Sequence, residues 1–181
     1  MMKKLLKQTY YLFFAGIMLL VFSGRASADS VVLNFTGTIL AGVCSVDLGS
    51  QNQSVPMGTI SSQNFVNPGD RSSVAPFSIT LNCPDGSVTG ATVTFSGTPD
   101  TTDQTLLALD NETGMASGVA ILLADQNGNK INLGTASSVY SLTQGASNAL
   151  QFTAQYTALV GGDSITVGTA NATAQFVINY P

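Results

Sequence analysis

The amino-acid sequence predicts an all-β sandwich. Three observations carry that expectation. Short runs rich in Val, Ile, Thr and Phe recur at roughly 8–12-residue spacing. Turn signals part them, at Asn67-Pro68-Gly69-Asp70, Cys83-Pro84-Asp85-Gly86, Thr98-Pro99-Asp100 and Gly161-Gly162-Asp163. No long helical apolar period interrupts them.

Residues 1–28 read as an export signal. Lys3, Lys4 and Lys7 make a basic start, Leu12 to Phe22 an apolar core short for a bilayer, and Ala26-Ser27-Ala28 a small-residue cleavage site. Its removal takes four of the six basic residues. Arg71 and Lys130 then stand against ten acidic side chains, which excludes nucleic acid and anionic membrane as partners. Charges are sparse as well, so the surface is expected to be built from Ser, Thr, Asn, Gln and Gly. Cys44 and Cys83 are the two cysteines, and in an exported chain such a pair reads as a disulfide. A metal site would need more ligands, and the chain has no histidine.

Residues 29–42 (DSVVLNFTGTILAG) form an arm with strand patterning. Val31, Leu33, Phe35, Gly37, Ile39 and Ala41 line one face, and Ser30, Asn34, Thr36 and Thr38 the other, with Val32 and Leu40 as exceptions. Terminal arms are ordinarily polar and frayed; this one is apolar and uncharged after Asp29 and needs a sheet. Residues 43–181 form the body. Its expected strands are 43–48, 53–59, 74–82, 90–97, 104–109, 117–124, 129–134, 147–158 and 169–180. Asn127-Gly128 is expected to close a tight hairpin from Ile121 to Leu133, both residues adopting positive φ.

In the final run, Ala170, Ala172, Ala174, Phe176, Ile178 and Tyr180 alternate with Asn171, Thr173, Gln175 and Asn179, and Gly168 opens it. An Ig-like sandwich needs one further strand here, and an uncovered apolar edge invites aggregation. An arm in front and a missing strand behind point to an incomplete sandwich. The arm of one molecule would complete another by donor-strand complementation.

Several segments together resemble a pilin of the chaperone–usher pathway, in the type 1 fimbrial subunit family. They are Phe35-x-Gly37-x-Ile39, Gly42-Val43-Cys44-Ser45-Val46, Pro76 through Cys83, Leu106-Leu107-Ala108-Leu109, Gly118 through Leu123, and the ending Gly168…Ala172 through Tyr180. The resemblance spans the body and arm. It implies an incomplete Ig-like β-sandwich lacking its last strand. It further implies a periplasmic pilus chaperone that lends a strand, an outer-membrane usher where the exchange occurs, and neighbouring pilin subunits in a cell-surface fimbrium. Under it, Val31, Leu33, Phe35, Gly37 and Ile39 are the donor-strand residues. Gly168, Ala172, Ala174, Phe176, Ile178 and Tyr180 belong to the C-terminal edge strand that the chaperone and the donor contact. Burying the four large arm side chains contributes about 1.5–3 kcal/mol each before ordering costs.

Catalytic readings are weak. Asp100/Asp103 and Asp110/Glu112 are spaced like turn acids rather than a glycosidase pair. Residues 125–136 depart from a calcium loop, with Lys130 in place of its glycine and Ala136 in place of its glutamate. No cofactor is expected. The competing function is an autonomous secreted β-sandwich that binds a glycan or host protein through its loops.

Overall fold

A computed structural model describes residues 42–181 of the chain. The export signal, and all of the expected arm except Gly42, lie outside them.

Among the described residues eight strands form two antiparallel sheets. In chain order they are β1 (Ser45–Val46), β2 (Ala75–Asn82), β3 (Gly90–Gly97), β4 (Val119–Asp125), β5 (Lys130–Ile131), β6 (Tyr140–Ser141), β7 (Ser147–Ala158) and β8 (Ala174–Asn179). One sheet runs β1-β2-β7-β4-β5 and the other β6-β3-β8. The alternation read from the sequence sets the inner faces. Leu150, Phe152, Ala154 and Tyr156 of β7 point inward, as do Ile79 and Leu81 of β2 and Ala91, Val93 and Phe95 of β3. The centre is aromatic. Phe152 meets Phe77, Phe95 and Tyr140 at ring-centroid distances of 5.5, 5.1 and 5.3 Å.

Strand β4 is buried along its whole length. Its inner residues join the main core, while Ala120, Leu122 and Ala124 face a second, smaller cluster closed by Leu106. This explains why the run reads as continuously apolar: a loop covers the face that would otherwise meet water. The expected strand at 104–109 is that loop. Only Leu107 pairs with β4, exchanging two main-chain hydrogen bonds with Ile121 at 3.0 and 2.9 Å. Leu106 and Leu107 then enter the two clusters on opposite faces, as neighbours in an extended chain do.

Other expectations shift. No strand forms at 53–59, where Pro56 lacks an N–H and Gly58 adopts φ 73°. The short strand β6 has no strong alternation and was not expected. The β4–β5 hairpin forms, but Asn127 does not take positive φ; Gly128 alone does, at 81°. The Asp125 N–H donates to the Asn129 carbonyl at 3.0 Å, and the Gly128 N–H to the Asp125 carbonyl at 3.0 Å. That is a three-residue loop, a turn followed by a left-handed glycine.

Asp125 governs this hairpin. Its buried carboxylate accepts from the N–H groups of Asn127 (2.8 Å) and Asn129 (2.9 Å) and from the Asn129 side chain (2.9 Å). The Asn129 side chain, with main-chain donors behind it, holds the Asp125 carboxyl below the ordinary aspartate range, against the upward push of burial. Because the folded value is depressed, the stabilisation is full above the unfolded value of about 4 and is lost as pH falls through the folded value. Thermal midpoints recorded between neutral pH and pH 3 should therefore fall steeply in the native chain. In Asp125→Asn the acid slope should be shallower.

Candidate strand-accepting edge

Strand β8 lies at the edge of its sheet. It pairs with β3 from Thr92↔Asn179 to Gly97↔Ala174, and with no other strand among the described residues. Within that ladder the partners are unequally covered. Val93 and Phe95 are fully buried, whereas Ile178 and Phe176 directly beside them on the same inner face are half-buried. On its other side β3 is bordered at these positions by residues 134–137, whose Gly134 and Ser137 N–H groups donate to the Phe95 and Val93 carbonyls at 2.8 Å, whereas among the described residues β8 has no neighbour on its other side. Ala170, Ala172 and Tyr180 are half-buried against the same core, while Ala174 is exposed.

A second stretch is also without main-chain partners. Residues 53–60, which follow β1, make no main-chain hydrogen bond to any other described residue. Val55, Met57 and Ile60 along them are half-buried, and Met57 and Ile60 pack on the main core. Both features are what a sandwich shows where a strand is missing: unpaired main chain and half-covered apolar side chains.

Beyond both ends of the β8 ladder the chain is tied to other parts of the domain. The Tyr180 hydroxyl donates to the Cys44 carbonyl at 2.8 Å. Burial raises the Tyr180 pKa above its ordinary value, so the phenol stays protonated and remains a donor. Cys44 is bonded to Cys83, fixing the start of the body to the end of β2. At the other end, the Asp110 carboxylate accepts from the Thr173 N–H (3.1 Å) and the Thr173 hydroxyl (2.9 Å). Glu112 accepts from the Asn171 side-chain amide at 3.4 Å, while Asp100 and Asp103 serve their own loop: Asp100 accepts from the N–H groups of Thr102 and Asp103, and Asp103 from Thr105. Asp103 also pairs with Lys130 at 3.3 Å. Among the described residues no three metal-ligating side chains come together.

Gly168 has a definite mechanical reason. A Cβ there would lie 2.2 Å from the Gly114 carbonyl oxygen, 2.6 Å from the Met115 carbonyl carbon and 2.7 Å from the Ala116 nitrogen. All three are main-chain atoms, and the crossing is pinned by Ala116 N–H to Thr169 C=O (2.7 Å) and Thr169 N–H to Gly114 C=O (3.0 Å). This crossing also shortens β8 relative to the expected 169–180, because residues 169–171 bond to 110–116 instead of β3. Gly168→Ala should cost about 2–3 kcal/mol in urea unfolding. The amides of β8 should be the first to lose protection from hydrogen exchange.

The fimbrial protein family model matches residues 33–181. The chain belongs to the fimbrial protein family. Long polar fimbria protein A of Salmonella typhimurium is 36% identical to this fimbrial chain over 156 residues, covering 86% of each. The crystal structure of a Burkholderia pseudomallei antigen and type I fimbria protein is similar at 32% identity and a TM-score of 0.58, covering 77% of this chain and 90% of that one. The P pilus rod subunit PapA shares the fold at 23% identity, with a TM-score of 0.62 and coverage of 76% and 99%. The chain is thus a structural fimbrial subunit with an Ig-like pilin sandwich. Membership favours that reading over an autonomous loop-binding sandwich.

Of the residues expected on the C-terminal edge strand, Phe176 and Ile178 lie on the inner face of β8 and Ala174 opens it, whereas Tyr180 follows the strand and Gly168 and Ala172 precede it, because residues 169–171 bond to 110–116 and the β3 ladder ends at Asn179. Sequence reasoning missed the unpaired stretch at 53–60, for which Pro56 and Gly58 were the available signals. It read Asp110 only as a turn acid. The donor-strand positions Val31, Leu33, Phe35, Gly37 and Ile39 lie outside the described residues.

Proposed function

We propose that this fimbrial subunit assembles by strand donation, and that its activity is assembly rather than catalysis. Residues 1–28 direct export, residues 29–42 are the donor arm, and residues 43–181 are the accepting body. The carrying observation is the asymmetric cover of β8: Phe176 and Ile178 are half-buried beside fully buried Phe95 and Val93, and among the described residues β8 has β3 on one side and no strand on the other. An incoming extended segment would supply main-chain hydrogen bonds to the free edge, and alternate apolar side chains to the uncovered inner face. Val31, Leu33, Phe35 and Ile39 have that alternation, and Gly37 leaves room for close backbone approach. In the periplasm a chaperone strand would occupy the same edge until an outer-membrane usher exchanges it for a neighbour's arm, which ends in a cell-surface fimbrium.

Complementation between two broken subunits tests this. Leu33→Asp spoils the arm and leaves the edge intact; Ile178→Asp spoils the edge and leaves the arm intact. Alone, neither should form filaments visible by electron microscopy or large species on gel filtration. Mixed, they should form a pair with a single productive junction and stop there. Filaments of ordinary length from either variant alone would contradict strand donation.

A further inference from the structure

The strand-accepting edge needs to be extended and separated from the opposite sheet before an arm arrives. A two-neighbour strand is held by its ladders, but among the described residues β8 has one ladder, and edge strands fray from their ends. The ladder with β3 stops at Ala174 and at Asn179. The residues immediately beyond it are Thr173 and Tyr180, and each is held by a side-chain hydrogen bond. Thr173 is held by Asp110 through its N–H (3.1 Å) and its hydroxyl (2.9 Å). Tyr180 is held through its hydroxyl by the Cys44 carbonyl (2.8 Å).

Neither anchor belongs to the sheet that contains β8. Cys44 precedes β1 at the edge of the first sheet and is fixed there by its disulfide to Cys83. Asp110 follows Leu107, which pairs with β4 of the first sheet, and its own N–H donates to the Asn171 carbonyl at 2.8 Å. The described residues contain one ion pair, between Lys130 and Asp103, so the Asp110 carboxylate is committed to Thr173 rather than to a cation. Each anchor therefore sets the distance of one end of β8 from the other sheet.

The geometry points to Asp110 and Tyr180 as positioning residues for strand uptake. They hold the accepting edge extended, and the sheets apart, while the edge has a single neighbour. This rests on the strand-donation reading and takes the incoming arm to be that of a second copy. Once an arm is seated, β8 has ladders on both sides and the anchors become redundant. They should then govern how fast an arm enters far more than how firmly it stays.

The mature chain, residues 29–181, is diluted from denaturant into excess fluorescein-labelled peptide of sequence 29–42. Anisotropy gives the uptake rate, and chase with unlabelled peptide gives the release rate. Asp110→Ala and Tyr180→Phe should each slow uptake by roughly fivefold to tenfold, the effect of one hydrogen bond on a rate, and leave release within about twofold. Asp110→Asn, which keeps an acceptor for the Thr173 N–H, should recover most of the uptake rate. If Asp110→Ala and Tyr180→Phe speed release as much as they slow uptake, the two residues are ordinary stabilising contacts and the inference falls. It also falls if uptake is unchanged. Absence of uptake by the native chain would overturn arm donation between copies, and this inference with it.

Discussion

Phe152→Ala should destabilise the body by about 3–5 kcal/mol, more than any other single truncation of the core. Phe152 is 1% exposed and lies in β7, the strand that β2 and β4 flank. Its ring is stacked on Phe77 and edge-on to Phe95, which belong to opposite sheets. Removing it opens a cavity that neither sheet can close alone, since each is fixed by its ladders. The consequence reaches the accepting edge, because Phe95 pairs with Phe176 of β8. Urea unfolding of the arm-complemented chain measures the loss. Val177→Ala, on the exposed face of β8, should move it by under about 0.5 kcal/mol.

Replacing Cys44 and Cys83 together by serine should cost about 4 kcal/mol, the chain-entropy value for a crosslink of sequence separation 39. The crosslink acts on more than that loop. The first strand is only two residues long and pairs with β2 at two positions, so its own ladder cannot hold the start of the body. The disulfide does so, and the Cys44 carbonyl in turn accepts the Tyr180 hydroxyl. Its loss should thus weaken β1 and the far end of β8 together. Hydrogen exchange on the Cys44→Ser/Cys83→Ser chain should show faster exchange at both, with β4 and β7 little affected. Equal loosening of all strands would mean that the crosslink acts only through the unfolded chain.

The long strands were legible because one side of each is buried and the other is not. In β7 and β3 the period-2 pattern survives as inward Leu150, Phe152 and Ala154, and inward Ala91, Val93 and Phe95. The apolar run of β4 was legible as a strand, but not its partner loop. Nothing local in Gln104 to Leu109 distinguishes a strand from a covering loop, and tertiary contact with β4 decides it. Strand β6 was illegible because two residues cannot display a period. At the β8 edge, alternation identified Phe176 and Ile178 as the inward side chains of the strand. It could not find Asp110, whose proposed role depends on Thr173, 63 residues away, being brought beside it by the crossing at Gly168. Sequence patterns report which face of an element is buried. They are silent on which distant loop holds its end.

The central claim is that the body is one strand short and takes that strand from an arm. The most direct measurement is the thermal unfolding of a chain beginning at Val43, with and without a peptide spanning Asp29 to Gly42. The chain alone should show a low midpoint, and the peptide should raise it sharply and increasingly with concentration, as ligand linkage requires. A high midpoint without peptide, unchanged on adding it, would mean that the sandwich is complete in itself and that strand donation is wrong.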